Sequence, residues 1–287
     1  MGIKSILMGL AFALMWSSAF SSARIIVASA PPMLSLSARF FLSGVIGVLI
    51  ARAMGQTWNL SRDQWRATII FGICQNALYL GLFFIAMQTI EASLAAIIAA
   101  SMPLIVAVAG RVFFGERVAP LGVAGLIAGF GGVGLIMGSR LSGGVDPFGL
   151  GLCIIGVLAL SFATLSVRGA SSGGNVMMVV GLQMFVGSAC LVVAGLALET
   201  PSFTPSWTLL AAFLYTTLVP GVLATVVWFN LVGRIGTVRA STFHFLNPFF
   251  GVAIAAVLLG ERMGPLDIVG VIIITLGILA VQLSKQR

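Results

Sequence analysis

The chain contains an internal repeat that covers most of its length. Residues 103–132 reappear without a gap 145 positions later as residues 248–277, and both copies hold a Gly-Glu-Arg-x-x-Pro turn. The earlier part of each half aligns more weakly at an offset of 142, which places Phe20 on Phe162. The sequence therefore predicts two copies of one structural unit.

The apolar composition predicts a membrane protein. Hydrophobic residues make up 60% of the chain, charged residues 8%, and the mean hydropathy is +1.16, whereas soluble domains carry about 25% charged residues. A helix needs about 20 apolar residues to cross a bilayer. The apolar runs are long and continuous, unlike the short alternating strands of a membrane β-barrel, and we count ten of them: roughly 3–24, 33–51, 67–87, 92–112, 119–138, 148–167, 176–198, 207–229, 238–259 and 264–283.

These counts predict an all-α integral membrane protein of ten transmembrane helices, built as two inverted five-helix repeats. Each repeat has an odd number of spans, so the second copy must enter the membrane in the opposite direction. The predicted domains are residues 1–138 and 148–287, joined by a linker at 139–147. Cytoplasmic N- and C-termini place 11 of the 15 Lys and Arg residues on the inside, as the positive-inside rule requires. The basic residues are scattered, which argues against nucleic acid as a partner.

Two prolines in equivalent spans predict interrupted helices. Pro103 and Pro248 lie in the middle of the fourth and ninth spans, where proline removes one backbone hydrogen bond and frees the carbonyls of Ala99 and His244. Inside a membrane such backbone is tolerated where protein or a water-lined cavity satisfies it. We expect the two helices to bound a cavity and to bend there during transport.

Polar and aromatic residues at helical spacing supply the candidate substrate site. Three polar side chains in the ninth span follow i, i+3, i+6 spacing, and an aromatic pair in the first span follows i, i+4 spacing. Packing between helices would give similar stripes, but polar groups inside a membrane usually mark a pathway. The predicted substrate-binding residues are Trp16, Ser17, Phe20, Asn76, Tyr79, Phe83, Phe162, Ser241, His244 and Asn247.

Arg39 and Glu91 are the predicted gating pair near the outer surface. Arg39 lies about 10 Å along the second span from Pro32, which is shallow enough for its side chain to reach the surface. It is expected to anchor the helix there, to bind a substrate carboxylate, or to pair with Glu91 in the outer loop. With Pro103 and Pro248 these residues form the predicted gate.

No catalytic, metal-binding or cofactor-binding motif is present. The Gly-Glu-Arg turns at 115–117 and 260–262 are typical of helix ends, and a single histidine lacks the partners for a metal site. We therefore predict no enzyme activity, no metal and no cofactor. The fifth span holds Gly125-x-x-x-Gly129 and Gly134-x-x-x-Gly138, a pattern of close helix packing that suits a scaffold or a dimer surface, so monomer and dimer both stay open.

Four features carry a resemblance to a known family: the duplicated ten-span pattern, the two Gly-Glu-Arg-x-x-Pro turns, the segment 16–20 (Trp-Ser-Ser-Ala-Phe) and the pair Arg39-Phe40. With them the chain resembles the drug/metabolite transporter superfamily, EamA type. It is most similar to the YddG branch of amino-acid and metabolite exporters. The resemblance implies a bacterial inner-membrane transporter with a small-molecule substrate. The four-span multidrug relatives use a first-span glutamate that this chain lacks, which puts proton coupling by that route in doubt.

The sequence and this resemblance together predict export of amino acids, with a broad range and a preference for apolar or aromatic side chains, by alternating access. Facilitated or weakly coupled transport is expected because no span carries a carboxylate near its middle. Two alternatives stay open: a nucleotide-sugar or phosphate-ester exchanger of the same superfamily, and a non-transporting membrane enzyme or receptor. A phosphorylated substrate would demand several basic groups near the midplane, and none clearly lies there.

Overall fold

Helices form all the regular structure in the part of the chain that the computed structural model describes, residues 2–115, 118–166, 174–236 and 240–284. The α-helices are Ile3–Val27, Pro32–Ala53, Arg62–Phe71, Leu80–Ala86, Ala92–Ala100, Met102–Phe114, Pro120–Ser142, Pro147–Ser166, Val176–Leu198, Trp207–Thr216, Ala224–Ile235, Asn247–Leu259 and Pro265–Ser284. Two π-helical segments, Gly72–Tyr79 and Thr217–Leu223, and a 3₁₀ helix, Thr242–Leu246, complete the set.

These elements join into the ten predicted spans. Within the described ranges, nine helical stretches are long and apolar enough to cross a membrane, and Phe243–Leu259 is a shorter apolar tenth. The third span includes the first π-helical segment, the eighth includes the second, and the fourth and ninth each consist of two helical pieces. The prediction of an all-α protein with ten membrane-spanning helices is confirmed.

Both mid-span prolines lie at a break in their helix. Pro103 follows Ser101, at which one helix of the fourth span ends and the next begins. Pro248 opens the second helix of the ninth span, after the 3₁₀ turns. The backbone N–H of Ser101 donates to the carbonyl of Ile98 at 3.1 Å, and the carbonyl of Ala99 also accepts a backbone N–H at this helix end. The N–H of Asn247 donates to the carbonyl of His244.

The prediction that the proline breaks leave these two carbonyls unpaired is therefore wrong. The chain tightens locally in front of each proline, and tighter turns satisfy backbone groups that an α-helix would leave open. The expectation of a cavity between the fourth and ninth spans rested on unpaired carbonyls. Because these carbonyls are paired, they give no support for that cavity.

The π-helical segments were not predicted, and they occupy equivalent places in the two repeats. Gly72, which begins the first, and Thr217, which begins the second, lie 145 residues apart, the same offset as the sequence repeat. The second segment contains Pro220. Short π-helical turns are rare and frequently occur at functional sites. Their recurrence at equivalent positions indicates that the third and eighth spans have the same structural role.

The chain divides into two compact units, each assembled from both repeats. The first unit comprises residues 1–21, 89–150 and 223–287, and the second comprises residues 22–88 and 151–222.

Within the first unit, glycines on the fifth and tenth spans reveal the inverted repeat. A methyl group at Gly125 would lie 2.6 Å from the carbonyl oxygen of Gly277, and one at Gly132 would lie 2.9 Å from that of Gly270. The sequence repeat aligns Gly125 with Gly270 and Gly132 with Gly277, so a twofold rotation exchanges the two contacts. The helices run antiparallel, as an inverted duplication requires.

Within the second unit, the second and seventh spans are also antiparallel partners. Gly44 lies against Gly181, and Ser37 exchanges hydrogen bonds with Ser188, with the two hydroxyl oxygens 3.1 Å apart. Small residues let the two backbones approach closely. The second and seventh spans, like the fifth and tenth, thus pair with their counterparts from the other repeat.

Two glutamates cap helices from the opposite repeat. Glu261 of the second Gly-Glu-Arg turn accepts the backbone N–H groups of Ala92 and Ser93 at 2.8 and 2.9 Å, at the start of the fourth span. Glu199 accepts those of Met33 and Leu34 at 2.8 and 3.0 Å, at the start of the second span. A carboxylate at a helix N-terminus satisfies free N–H groups and complements the helix dipole. The corresponding Glu116 and Arg117 of the first turn lie outside the described residues.

The two glycine motifs of the fifth span differ in their surroundings. Gly125 and Gly129 pack inside the first unit, against the tenth span and Leu104, whereas a methyl group at Gly134 or Gly138 would meet nothing within 4 Å. The first motif is thus part of the scaffold, and only the second faces open space.

A short segment connects the helices of the fifth and sixth spans. The fifth span continues through Ser142 and the sixth begins at Pro147. Asp146 caps the sixth span by accepting N–H groups of Phe148 and Gly149, and it accepts the hydroxyl of Thr89 at 2.7 Å. The Thr89 hydroxyl and then the Gly149 N–H hold the pKa of Asp146 below its usual value. Any stability from this cap is present at neutral pH and is lost as the pH falls through that lowered pKa.

Candidate functional site

Aromatic rings surround His244 within the first unit. The ring of His244 lies 5.2 Å from that of Phe12, 5.1 Å from Trp228 and 6.5 Å from Trp16, measured between centroids, with tilted or edge-on geometry. These distances are typical of favourable ring pairs. Phe12 is buried, whereas the other three are half-buried, so the cluster has an accessible side.

Asn247 supplies a polar edge next to this ring cluster. Its amide nitrogen lies 3.0 Å from Nδ1 of His244, and its backbone carbonyl accepts the hydroxyl of Ser17 at 3.2 Å. The amide oxygen is buried and has no hydrogen-bond partner among the described residues. In this arrangement His244 Nδ1 is the acceptor and Nε2 carries the proton. The edge therefore offers one free acceptor and one N–H donor.

The remaining two predicted residues of the first unit lie differently. Ser241 belongs to the same row as His244 and Asn247, because a 3₁₀ helix has three residues per turn, but its hydroxyl lies 3.4 Å from Gln282 Oε1 on the tenth span. Phe20 is buried at 8% exposure. The structure thus brings together Trp16, Ser17, His244 and Asn247, with Ser241 turned to the tenth span.

In the second unit, Asn76, Tyr79 and Phe83 are all buried. Asn76 donates its amide N–H to the carbonyl of Gln183 on the seventh span at 2.9 Å. The rings of Tyr79 and Phe83 are 4.7 Å apart. Asn76 and Tyr79 belong to the first π-helical segment, whereas Phe83 lies on the α-helix that follows it.

Phe162, the other predicted residue of this unit, is 59% exposed. The sequence repeat aligns it with the buried Phe20, so the two halves differ at this position. The ten predicted substrate residues are therefore distributed over both units, six in the first and four in the second. Their role in binding stays a prediction.

Arg39 does not extend to the surface as an anchoring residue would. Its side chain is 7% exposed, its Nε donates to the carbonyl of Thr216 at 3.3 Å, and its guanidinium lies 5.1 Å from the Phe40 ring centre. The prediction that Arg39 snorkels to the outer surface is wrong, because the second span packs this face against the eighth. Glu91 is the residue before the fourth span, whose N–H groups Glu261 caps. The gating roles of Arg39, Glu91, Pro103 and Pro248 stay predictions.

A cavity of about 610 Å³ lies at one end of the second unit, at the N-terminal end of the second span. Residues 27–33 and 198–204 form most of its wall, with Ile85 and Gln88 from the end of the third span. Its lining includes one carboxylate, Glu199, and no basic residue. None of the predicted substrate residues lines it. No local sequence pattern predicts this cavity, because loops that are distant in the chain form it.

The chemistry available in these clusters is recognition of a solute. Groups of three or more His, Cys, Asp or Glu side chains that could hold a metal ion do not occur in the described part of the chain. The first-unit cluster presents aromatic faces beside one donor and one acceptor. Aromatic faces beside a few polar groups are the kind of surface that orients small, partly apolar ligands.

Two residues of this cluster were missed from the sequence. Phe12 lies one turn before Trp16 on the same helical stripe, so extending the i, i+4 spacing backward would have found it. Trp228 had no such signal, because it reaches the cluster from the eighth span through tertiary packing.

Comparisons with known proteins agree with the fold and with transport. A sequence model of the EamA-like transporter family matches residues 3–138 and 147–283. The chain is similar to the uncharacterized inner membrane transporter YedA of Escherichia coli K12, with 27% identity over 97% of this chain and 91% of that protein. It is similar to the uncharacterized transporter YvbV of Bacillus subtilis, with 24% identity over 95% and 90%.

The similarity to a protein of named substrate is shorter. The aromatic amino acid exporter YddG of Ancylobacter novellus is 27% identical over 137 residues, which is 48% of this chain and 47% of that protein. A solved crystal structure superposes with a TM-score of 0.72 at 19% identity, over 99% of both chains, and shows the same fold.

Proposed function

The chain belongs to the EamA-like transporter family, and on that premise we propose that it exports amino acids with apolar or aromatic side chains. The general assignment, a multi-pass membrane transporter, rests on the family and on relatives named as transporters. The substrate class and the direction are the proposal. So are the bacterial inner membrane as its location, cytoplasmic termini, and the placement in the YddG branch.

The observation that carries the proposal is the ring cluster of the first unit with its polar edge. Trp16, Trp228 and His244 offer half-buried aromatic surface, and the unpaired amide oxygen of Asn247 suits an ammonium N–H donor. A binding surface with few fixed charges tolerates many side chains, since one methylene against an apolar surface changes binding by about 1–3 kcal/mol. We infer a broad range of substrates.

The absence of an enzyme activity belongs to the same proposal. We infer alternating access, with bending at the breaks before Pro103 and Pro248. We also infer facilitated or weakly coupled transport, since the described spans place no carboxylate in the ring cluster.

Counterflow in proteoliposomes tests this function. Vesicles that contain the purified protein are preloaded with unlabelled phenylalanine, methionine or threonine, and uptake of the labelled amino acid is followed with and without a pH gradient. We expect uptake above that of protein-free vesicles, strongest for phenylalanine and methionine, and little changed by the gradient. Transport of UDP-sugars without any amino acid would overturn the substrate class, and a strict need for the gradient would overturn the mechanism alone.

A further inference from the structure

Arg39 is a buried cation without a counter-ion in its own unit. The second unit has two acidic residues among its described positions, Asp63 and Glu199. Glu199 is engaged by the N–H groups of Met33 and Leu34. Asp63 lies in the first turn after the loop that follows the second span, whereas Arg39 lies two turns from that span's other end.

A guanidinium group carries five N–H donors, and among the described residues of this unit only the Nε of Arg39 has a hydrogen-bond acceptor, the Thr216 carbonyl. The Phe40 ring offers a further weak contact. An uncompensated charge away from water is costly and is retained inside membranes mainly for function. The terminal nitrogens of Arg39 therefore need an acceptor that the described residues of the unit do not supply.

The π-helical turn of the eighth span places a glycine beside these nitrogens. Gly221, in the segment Thr217–Leu223, faces Arg39, and a methyl group placed on it would lie 3.7 Å from Nη2. The same methyl group would lie 3.2 Å from the Thr216 carbonyl oxygen and 3.1 Å from the Ser43 hydroxyl. A side chain at position 221 would crowd the Thr216 carbonyl and the Ser43 hydroxyl, so Gly221 lets the eighth span pass close to the guanidinium.

We propose that Arg39 binds the carboxylate of the transported solute, so that a free carboxylate is required for recognition. This inference rests on the proposed function. A guanidinium pairs with a carboxylate through two parallel hydrogen bonds, which two terminal nitrogens can form while Nε stays on Thr216. One guanidinium matches the single charge of a carboxylate better than the charge of a phosphate ester.

The test uses four ligands that share one phenyl ring. Phenylalanine and 3-phenylpropionate carry a carboxylate, whereas phenylalaninamide and phenethylamine do not. The variants are Arg39→Lys, Arg39→Gln and Gly221→Ala. Arg52→Gln is the matched control, because Arg52 is an exposed arginine near the other end of the same helix.

For the wild type we expect counterflow of phenylalanine at an apparent KM at least tenfold lower than for phenylalaninamide or phenethylamine. The reason is that these two ligands lack the carboxylate and therefore lose a charge-assisted hydrogen bond to Arg39. Arg39→Gln should raise the KM for phenylalanine about tenfold or more and leave that for phenethylamine unchanged. The KM of Arg39→Lys for phenylalanine should lie between those of the wild type and Arg39→Gln. Gly221→Ala should raise this KM although the charge of Arg39 is kept. Arg52→Gln should have the same KM as the wild type. Equal transport of phenylalanine and phenethylamine by the wild type would overturn the proposal.

Thermal stability in detergent keeps the test decisive if a variant folds poorly or if no amino acid is transported. Addition of 3-phenylpropionate should raise the Tm of the wild type and of Arg52→Gln, but not that of Arg39→Lys to the same extent, while phenethylamine should have no such effect. This result with no amino-acid transport would reject the proposed function and support the carboxylate site. Equal stabilisation of all variants by 3-phenylpropionate would reject the site.

Glu91 of the first unit is the competing partner, from the predicted gate pair. If Glu91 neutralises Arg39, then Glu91→Gln and Arg39→Gln should show the same defect, and both should still prefer phenylalanine over phenethylamine as strongly as the wild type does. That outcome would overturn the carboxylate site.

Discussion

At the scale of single residues, Asn247 joins the polar and aromatic parts of the candidate site. Its side-chain amide nitrogen is hydrogen-bonded to Nδ1 of His244, and its backbone carbonyl accepts the hydroxyl of Ser17. Replacement by alanine removes the free acceptor and leaves Nδ1 of His244 without its partner. We expect Asn247→Ala and His244→Ala each to raise the apparent KM for phenylalanine about three- to tenfold, the range of one or two lost hydrogen bonds, as measured by the concentration dependence of counterflow.

The control for this prediction is Asn230→Ala. Asn230 is an exposed asparagine of the same unit whose amide bonds to Val226 of its own helix, so its loss should leave the KM unchanged. An unchanged KM in both site variants, for every amino acid tested, would remove Asn247 and His244 from the site.

Residue spacing predicted part of this arrangement. The row formed by Ser241, His244 and Asn247 was visible at i, i+3, i+6, and it survives in the structure because a 3₁₀ helix repeats every three residues. The interaction partners were not visible. Trp228 and Gln282 come from other spans, and the pairing of a side chain with a distant span depends on packing that one sequence does not encode locally.

At the scale of helices, Glu261 supports the start of the fourth span. Its carboxylate accepts two N–H groups that lack partners within the helix. We expect Glu261→Ala to destabilise the detergent-solubilised protein by about 1–2 kcal/mol, seen as a lower Tm, with Glu261→Gln in between because an amide oxygen accepts hydrogen bonds without a charge.

Arg262→Ala serves as the control for this cap, since Arg262 is the exposed neighbour in the same turn. Its Tm should equal that of the wild type. A Tm of Glu261→Ala as high as that of Arg262→Ala would show that the cap contributes no stability.

Helix ends were more predictable than helix irregularities. Gly115 and Gly260 end their helices in the left-handed conformation, with φ of 65° and 68°, and glycine is the residue that adopts it without strain. The π-helical segment at Gly72–Tyr79 has no comparable signal, because the third span lies against Val186 and Gln183 of the seventh at this point. A turn that tertiary packing widens cannot be located from local sequence alone.

At the scale of the whole molecule, the duplication carried the most information. With the ten apolar runs it predicted two five-helix copies of opposite orientation, and the exchange of Gly125–Gly277 with Gly132–Gly270 agrees with an inverted repeat. The same symmetry could not predict the composition of the two units, since each unit takes spans from both repeats. The repeat can be read directly from the sequence, whereas the contacts between the two repeats form only when the chain folds.

The orientation of the molecule is the last prediction, and it follows from the distribution of Lys and Arg. We expect the loop between the second and third spans to be cytoplasmic and the segment between the two halves to be external. Asn59 and Gly143 are exposed positions in these segments, and Asn59 avoids Ser61, whose side chain caps the third span. Each is replaced in turn by cysteine in a protein whose three cysteines, Cys74, Cys153 and Cys190, are substituted.

An impermeant thiol reagent applied to intact cells should label Gly143→Cys at once and Asn59→Cys only after permeabilisation. The reverse pattern would overturn the orientation and leave the inverted repeat intact, because three spans separate the two positions in either case. Labelling of both positions from outside would contradict the odd number of spans between them. That outcome would reject the ten-helix topology itself, which the positive-inside rule alone could not do.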